Sequence, residues 1–356
     1  MSVADFLLPV SEAVARKGPH DRIVLSSRVR LARNVRGHEF PGRAKKEERI
    51  GSMEQIRPQV ESLSVFKEAF SASMDRLRPL ERKLLMERHL ISREHAEKGS
   101  GSAVVLRQDE SLCVMINEED HLRMQSLRPG LQVKECWKEI DKIDTQLEKK
   151  VEYAYLPKLG YLTACPTNLG TAIRVSAMLH LPGLQLADLI GQTVNSVTKL
   201  NLAVRGLYGE GSDALGHIYQ VSNQMTLGER EPEIVERLTK VVLQLIENEE
   251  NAREKLLEDQ PKIIFNQIGR AYGILSNAHI IHSKEAMNLL SFVRLGVEMG
   301  IIPGVDCSVV DELFIMTQPN HLQYQAEGKL TAEERDLLRA DMLRDKLKKI
   351  PRPEPK

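Results

Sequence analysis

Acidic and basic side chains crowd together in the sequence NEEDHLRMQ, which begins at Asn117 directly after the apolar run LCVMI. Three acidic residues, Glu118, Glu119 and Asp120, are followed at once by His121 and Arg123, so groups that could carry acid–base or ionic chemistry stand side by side. A simpler interpretation is also open. A strand over residues 112–116 could run into a helix whose acidic first turn complements the helix dipole without any functional role.

A second motif, SSRVRLAR, places Arg28 and Arg30 two residues apart in a run of β-type residues. Both side chains then leave the same face of a strand. Guanidinium groups bind phosphate oxygens bidentately and stay charged at any working pH, so the pair could hold a phosphate; it is also typical of a solvated sheet face. The sequence lacks a GxxxxGK[ST] motif, which argues against a P-loop.

The segment YLTACPTNLGTAIR places Cys165 beside a predicted helix start, for which Pro166 and Thr167 or Asn168 supply the break in the chain and the cap. Arg174 would then lie along the same helix. A cysteine at a helix start has its thiolate favoured by the helix dipole, whereas a cysteine in the core would be inert. The motif alone leaves both interpretations open.

A fourth segment, RGLYGEGSDALGHIYQVSN, carries Arg205 after an apolar strand and then Glu210 in a glycine-rich loop. Such loops can move, so a carboxylate there is either a catalytic group or a solvated turn residue.

Bulk composition narrows the class of protein. The 356 residues contain 50 Lys+Arg and 50 Asp+Glu, so no global charge draws the chain to nucleic acid or anionic lipid. The sequence shows neither a signal peptide nor a membrane span, which predicts a soluble, cytoplasmic protein. Its four cysteines lack metal-binding spacing, which predicts reduced thiols and no protein-bound metal.

The segments that contain and connect these motifs predict a mixed α+β fold. Strands are predicted in the runs IVLSSRVRLA, SAVVLRQ, LCVMIN, YLTAC, LNLAVRGLY and HIYQVSN, with helices over residues 46–70 and 133–149. Hairpin spacing favours an antiparallel sheet flanked by helices. Helical periodicity begins near residue 230, and Thr331 with Glu334 predicts a capping box for a late helix.

The predicted domains follow from this change in character. They are an N-terminal arm over residues 1–20, a catalytic domain over 21–255, a smaller all-helical domain over 256–350 and a loose tail over 351–356.

Taken together and in this order, the motifs SSRVRLARN, NEEDHLR, CPTNLGTAIR and RGLYGEGSDALGHIYQVSN resemble the phosphagen (guanidino) kinase family, most closely its bacterial protein-arginine kinase branch of the McsB type. The resemblance spans roughly residues 22–230. It implies an antiparallel sheet over which Mg-ATP lies, with the metal held mainly by the nucleotide. It also implies that five arginines surround the triphosphate: Arg28, Arg30, Arg123, Arg174 and Arg205.

The resemblance implies further nucleotide contacts at Ser27, Val29, His89, Val175, Ser176, Ala177, Met178, Gly206, Leu207, Tyr208 and Gly209. It implies that Glu119 and Glu210 hold the guanidinium substrate, with Cys165 beside its nitrogens. Since a guanidinium has a pKa above about 12, a base must remove a proton as the bond to phosphorus forms. Glu119 is the predicted base.

Two departures from the small-substrate kinases favour arginine within a protein as the acceptor. Only about 20 residues precede the motifs, where those relatives carry a helical domain. The C-terminal helical region resembles the bacterial branch, in which Arg335, Asp336, Arg339 and Ala340 would form an allosteric phosphoarginine pocket. Without that resemblance, Arg335 and Arg339 would be a solvated i, i+4 pair.

The resemblance further implies autophosphorylation, a homodimer, an activating adaptor, a transcriptional repressor among the substrates and delivery of marked proteins to a Clp ATPase. Two other functions are compatible with the sequence: a kinase for free arginine or another small guanidine, and a phosphoarginine-binding adaptor or pseudokinase.

Overall fold

The computed structural model describes residues 3–7, 9–206, 214–326 and 328–354. Its strands are β1 Val24–Arg33, β2 Phe70–Ser73, β3 Ala103–Leu106, β4 Leu112–Ile116, β5 Leu122–Pro129, β6 Tyr155–Leu156, β7 Gly160–Tyr161, β8 Ile173–His180, β9 Leu202–Gly206 and β10 Ile218–Asn223. Eight of them form one sheet in the order β2-β3-β4-β5-β1-β8-β10-β9, and β6 pairs with β7. The pairs from β2 to β1 are all antiparallel, as predicted.

The helices are α1 Val3–Phe6, α2 Val10–Val14, α3 Lys46–Glu61, α4 Pro79–Glu87, α5 Arg93–Ala96, α6 Val133–Glu148, α7 Pro182–Leu186, α8 Ile190–Lys199, α9 Glu231–Asp259, α10 Pro261–Asn277, α11 Ser283–Glu298, α12 Cys307–Met316, α13 Pro319–Gln325 and α14 Ala332–Leu347. The helical C-terminal region is therefore confirmed. Its predicted capping box is present, because the Thr331 hydroxyl accepts from the Glu334 N–H at 3.2 Å while the Glu334 carboxylate accepts from the Thr331 N–H at 2.7 Å.

The chain divides into two compact units. The first unit comprises Met1–Pro9, Ser26–Ala177 and Ser222–Lys240, and the second comprises Val10–Leu25, Met178–Val221 and Val241–Lys356.

In the first unit, apolar side chains bury both faces of β3 and β4. Val104 and Met115 are fully buried in a core cluster that also includes Met74 and Leu85. Helix α3 packs against these two strands, and α6 packs against β5. Since α6 buries apolar residues at helical spacing, one face of it covers the sheet. In consequence, the ends of β4 and β5 are held on a rigid layer.

The core of the second unit lies among its C-terminal helices. Helix α10 packs against α11 and α14, and α11 packs against α12. Ile268, Leu290, Leu313 and Leu343 are fully buried where these helices meet. The helices that the structure describes include none with the length and apolar character that a bilayer crossing demands.

Most predicted elements are confirmed: β1, β3, β4, β9 and β10 among the strands, with α6 among the helices. The helix predicted over residues 46–70 is confirmed only as far as Glu61, where α3 ends; a 3₁₀ turn follows at Ser64–Phe66, and β2 begins at Phe70. The strand predicted in YLTAC is wrong beyond Tyr161. Its backbone instead turns away, because the Leu162 N–H donates to the Ala154 carbonyl oxygen at 2.9 Å and the Ala164 N–H donates to the Asp120 carboxylate at 2.7 Å.

Candidate active site

The NEEDH segment, residues 117–121, is the turn of a hairpin between β4 and β5. Asn117 adopts a left-handed backbone with φ 54°. Its amide donates to the carbonyl oxygens of Gly101 at 2.7 Å and Arg49 at 2.9 Å, and its own carbonyl accepts from the Ser102 hydroxyl at 2.9 Å. The helix interpretation of this stretch is therefore wrong, because contacts with distant segments close the turn.

Glu118, in this turn, is 1% exposed and is committed to internal contacts. Its carboxylate accepts hydrogen bonds from the Ser92 hydroxyl and Arg123 Nη1, both at 2.5 Å, and from the Glu119 N–H at 2.8 Å. Burial alone would raise the pKa of Glu118, but the Arg123 charge and these hydrogen bonds lower it to about 2. Glu118 is thus an anchor for Arg123, unsuited to accepting a proton at neutral pH.

Glu119 differs from Glu118 in its exposure and in the direction in which its pKa is shifted. Its side chain is exposed. Partial burial and the nearby carboxylates of Asp120 and Glu118 raise its pKa, with Arg123 acting in the opposite direction. An exposed carboxylate with a raised pKa is a better proton acceptor than Glu118.

Asp120 and Asn34 join the hairpin turn to a second loop. The Asp120 carboxylate accepts from Asn34 Nδ2 at 2.5 Å and from the Ala164 N–H at 2.7 Å. Asn34 also donates to the Leu162 carbonyl oxygen at 3.0 Å and accepts from the His121 N–H at 2.9 Å. These bonds hold residues 162–164 against the turn, so the residue after Ala164 lies close to the residue before Asp120.

That next residue is Cys165, which is partly exposed and has its Sγ 3.1 Å from Thr167 Oγ1. The long helix predicted after it is wrong: a single 3₁₀ turn, Pro166–Asn168, is followed by Gly170 at φ 111°. Arg174 lies instead in β8. A three-residue turn carries little dipole, so the argument for thiolate stabilisation by a helix does not apply to Cys165.

Four of the predicted arginines converge in the first unit. Arg28 and Arg30 lie on β1, which neighbours both β5 and β8, the strands of Arg123 and Arg174. Arg123 pairs in register with Ala32. Because Ala32 and the two β1 arginines share one face of the strand, and cross-strand partners share a face, three arginines point to the same side of the sheet.

The electrostatics of this cluster favour an anion. Burial, followed by the charges of Arg123 and Arg174, lowers the pKa of Arg28 to about 10. Burial and the other three arginines lower the pKa of Arg30 well below its usual range, against the opposing charge of Glu118. Arg30 Nε is buried without a hydrogen-bond partner among the described residues. A ligand with several negative charges would relieve this repulsion.

His89 lies within reach of the same cluster. Burial and the Arg28 charge lower its pKa to about 4, so its imidazole is neutral at pH 7. Its backbone is left-handed at φ 59°, and its carbonyl oxygen accepts from Gln125 Nε2 at 2.9 Å. A neutral ring beside guanidinium groups fits the predicted proximity to the nucleotide.

The remaining residues that are predicted to contact the nucleotide lie in several parts of the chain. Ser27 is buried, and its hydroxyl donates to the Gly130 carbonyl oxygen at 2.7 Å. Buried positions in β1 and β8 are occupied by Val29, Val175, Ser176 and Ala177. The second unit contains Met178, Arg205 and Gly206. Leu207, Tyr208, Gly209 and Glu210 lie outside the described residues.

In the second unit, Arg339 is 1% exposed, which contradicts the expectation of a solvated side chain. Its Nε donates to the Thr317 carbonyl oxygen and its Nη1 to the Ile281 carbonyl oxygen, both at 2.8 Å. It also ion-pairs with Asp336, one turn earlier. The guanidinium therefore ties α14 to the ends of neighbouring segments.

The other predicted residues of this motif differ in exposure. Arg335 is partly buried and donates to the Leu330 carbonyl oxygen at 2.9 Å, whereas Ala340 is fully buried in the core. Asp336 also lies 2.5 Å from Nδ1 of the exposed His282. Asp336 is thus a carboxylate shared by two cationic or protonatable neighbours.

Several residues that shape the site were not predicted in those roles: Ser92, Asn34, Glu118 and Asp120. Asn34 directly follows SSRVRLAR, and the two acids flank Glu119, so sequence proximity to predicted residues was the available signal. Their partners lie far along the chain, and only the fold brings them together.

Two family models match the chain. The model of the ATP:guanido phosphotransferase C-terminal catalytic domain matches residues 52–252, and that of the protein-arginine kinase McsB C-terminal domain matches residues 261–356. The chain is 44% identical to the protein-arginine kinase of Halothermothrix orenii, covering 98% of this chain and 99% of the relative. It is 46% identical to that of Halalkalibacterium halodurans, covering 95% and 97%.

Solved structures of guanidino kinases share the fold. The crystal structure of lombricine kinase aligns with a TM-score of 0.57 at 27% identity, covering 67% of this chain and 70% of that one. The duplicated taurocyamine kinase of Schistosoma mansoni with bound transition-state analogue components aligns with a TM-score of 0.60 at 23% identity. In that alignment 80% of this chain spans 47% of the other.

Proposed function

This chain belongs to the protein-arginine kinases, a branch of the guanidino phosphotransferase family, and we propose that it transfers the γ-phosphoryl group of ATP to arginine side chains of proteins. One observation carries the proposal. The arginine cluster and the exposed carboxylate of Glu119 meet at one hairpin, where Glu118 holds Arg123 and its neighbour Glu119 is left to bind the acceptor. Donor and acceptor sites are thus adjacent.

The proposed nucleotide site uses the cluster Arg28, Arg30, Arg123 and Arg174 with His89, and Arg205 is a further phosphate ligand on the family resemblance alone. Phosphoryl transfer requires in-line placement and neutralisation of the charge on the transferring group, which guanidinium groups supply. Mg²⁺ carried by the nucleotide would neutralise further phosphate charge.

The proposed acceptor site uses Glu119 and Cys165, with Glu210 as a second carboxylate. The acceptor guanidinium is cationic, so a nitrogen lone pair is available only as a proton leaves it. In the reaction the N–P bond forms, the bond from the γ-phosphorus to the ADP oxygen breaks, and the guanidinium proton passes to Glu119. The raised pKa of Glu119 supports this role.

Replacing the base should abolish transfer without unfolding the protein. We expect Glu119→Gln to lower kcat by at least about 100-fold, because general-base catalysis is lost while the side chain keeps its shape. The exposed Glu97 offers a matched control, so Glu97→Gln should keep full kcat. Turnover and melting temperature should be measured on both variants. Full activity of Glu119→Gln would remove Glu119 from the role of base.

The reaction itself is tested by following labelled γ-phosphate from Mg-ATP to an arginine-rich protein and, in parallel, to free L-arginine. Acid treatment distinguishes the labile P–N linkage from a P–O linkage. Acid-labile label on the protein is expected. Label on free arginine alone, or acid-stable label, would contradict the proposal.

The family membership supports further proposals about context. We assign residues 21–255 to the catalytic domain and 256–350 to a helical domain that binds phosphoarginine through the region of Arg335, Asp336, Arg339 and Ala340. The protein would act in the cytoplasm as a homodimer, phosphorylating itself as well as other proteins. Its partners would be an activating adaptor, a transcriptional repressor and a Clp ATPase that receives the marked proteins.

A further inference from the structure

Among the described residues of the first unit, the exposed large apolar side chains fall on two short segments. Residues 155–159 carry Tyr155, Leu156 and Leu159, and residues 225–227 carry Met225 and Leu227; all five are between 39% and 63% exposed. A contiguous group of exposed apolar residues marks an interaction site more often than scattered single residues do.

The two segments are joined through close backbone contacts. The Tyr161 N–H donates to the Gly170 carbonyl oxygen at 2.8 Å, and a Cβ at Gly160 would overlap that same carbonyl. A Cβ at Gly170 would lie 2.7 Å from the Thr226 carbonyl oxygen, and the Thr226 hydroxyl donates to the Leu169 carbonyl oxygen at 2.7 Å. The segments that carry the exposed apolar residues are therefore held together at Gly160, Gly170 and Thr226, and residues 155–159, 169–170 and 225–227 are here named the apolar strip.

The apolar strip is rigidly supported. The Tyr161 ring lies 5.3 Å from the Tyr155 ring, and the Arg33 guanidinium stacks 3.5 Å above the Tyr161 ring centre. Arg33 is itself buried and bound by both oxygens of Asp144. A preorganised surface loses little conformational entropy on binding, which is a property of docking sites.

The apolar strip is also continuous with the acceptor site. Three residues separate the end of β7 from Cys165, and the Ala164 N–H between them is bonded to Asp120, next to Glu119. On the other side of Cys165, the 3₁₀ turn leads directly into residues 169–170. Any polypeptide that presents an arginine to Glu119 and Cys165 must place its neighbouring residues nearby, since one extended residue spans only about 3.3 Å.

We propose that the apolar strip binds apolar side chains that flank the target arginine in a protein substrate. The inference rests on the proposed protein-arginine kinase activity and adds a determinant of substrate choice. The side chains of the apolar strip are uncharged except for Lys158 at the hairpin tip. The substrate segment that matches this surface therefore carries large aliphatic or aromatic residues beside its arginine.

Two peptide acceptors test the proposal. Each contains one arginine, flanked on both sides by leucine in one peptide and by serine in the other. We expect the unchanged protein to phosphorylate the leucine peptide with about tenfold higher kcat/KM, since burying one aliphatic side chain is worth at least that factor. In the double variant Leu156→Ser, Leu159→Ser the ratio of the two kcat/KM values should fall to about one.

A matched control is available at Ile263, which is 45% exposed, as is Leu156, but lies outside the apolar strip. Ile263→Ser should retain the tenfold ratio. A double variant that also retains it would overturn the proposal, as would weaker self-association of that variant with unchanged peptide preference, since the strip would then bind a second copy. Failure of the proposed function is distinguishable, because the unchanged protein would then phosphorylate neither peptide.

Discussion

At the scale of single residues, Glu118 and Glu119 divide two tasks between adjacent carboxylates. Glu118 is buried on Arg123 and Ser92, while Glu119 is exposed with a raised pKa. The difference arises from partners outside the motif, because the two side chains are chemically identical. One carboxylate therefore fixes Arg123, and the other is exposed, as the proposed role of Glu119 in proton transfer requires.

The anchoring role of Glu118 predicts a pH-dependent stability. Its pKa falls from 4.5 to about 2 on folding, so the ionised form stabilises the native state fully above pH 4.5 and progressively less as the pH falls towards 2. We expect Glu118→Gln to lower the free energy of unfolding by about 3 kcal/mol at pH 7. Urea unfolding at several pH values measures this. A difference from the unchanged protein that persists undiminished at pH 2 would contradict it.

Arg30 predicts a trade-off between stability and ligand binding. Since burial and three like charges oppose its ionised form, Arg30→Met should raise the free energy of unfolding without nucleotide by about 1 kcal/mol. The same change should weaken ATP binding at least about tenfold. Calorimetry and thermal unfolding measure both quantities.

Arg36, exposed and paired with Glu152 at the surface, supplies the control for that experiment. Arg36→Met should change stability by less than about 0.5 kcal/mol. Loss of stability in Arg30→Met without nucleotide would show that the cluster is electrostatically satisfied by itself.

At the scale of elements, the site is assembled from a hairpin turn and a loop that Asp120 and Asn34 join. Neither segment is regular structure at the point of contact, so the bonds from Asp120 to Ala164 and Asn34 fix their spacing. Glu119 and Cys165 are positioned by this joint.

Loss of the Asp120 hydrogen bonds that join the two segments should weaken binding of the acceptor more than binding of the nucleotide. We expect Asp120→Ala to lower kcat about 10- to 100-fold and to raise the acceptor KM, because small displacements of reacting groups are costly. The KM for ATP should stay unchanged. Asp120→Asn keeps an oxygen that can accept both hydrogen bonds, so it should recover most of the activity. Equal loss in both variants would contradict a positioning role.

Sequence patterns predicted the strands and helices whose conformation is determined by the residues within them. Alternation in IVLSSRVRLA and helical periodicity in 133–149 were sufficient for β1 and α6. They failed where distant contacts decide. The proline after Cys165 is typical of a helix start, yet Gly170 at φ 111° ends the turn. In β8 the buried apolar residues Ile173, Val175, Ala177 and Leu179 alternate with Arg174, Ser176, Met178 and His180, which is the period of a strand.

The candidate site was predictable in its residue types and less so in its connections. Four arginines, Glu119 and Cys165 are predicted as site residues through the resemblance of their motifs to the guanidino kinase family. Asn34 and Ser92 could not be predicted, since a short polar side chain gains a role only from the partner that folding brings to it. Glu118 and Asp120 were visible in the motif, but nothing local distinguishes an anchor from a base.

At the scale of the whole molecule, basic and acidic side chains are equal in number but unevenly distributed in space. Five buried arginines each have a carboxylate within ion-pair distance: Arg33, Arg88, Arg253, Arg294 and Arg339. The cluster around Arg28 and Arg30 instead holds like charges together, as their lowered pKa values record. Zero net charge thus coexists with one strongly positive site, which limits the molecule's non-specific attraction to other anions.

Those ion pairs should stabilise the folded state, and a substitution of Arg339 tests this in the second unit. Arg339→Met should lower the free energy of unfolding by about 3 to 5 kcal/mol, because Asp336 and two backbone carbonyls would lose their donor. Arg335→Met, on the same helix and bonded to a single carbonyl, should cost less than about 1 kcal/mol. Chemical denaturation of both variants measures the contrast, and equal losses would refute it.

The contact between Gly160 and Gly170 has a consequence for how the gene can change. A glycine codon becomes an alanine codon through a single base substitution. At these two positions the added methyl group would push apart the segments that carry Tyr161, Cys165 and Thr226. Random mutation should therefore find two intolerant sites at which backbone spacing, and no side-chain chemistry, sets the limit on sequence change.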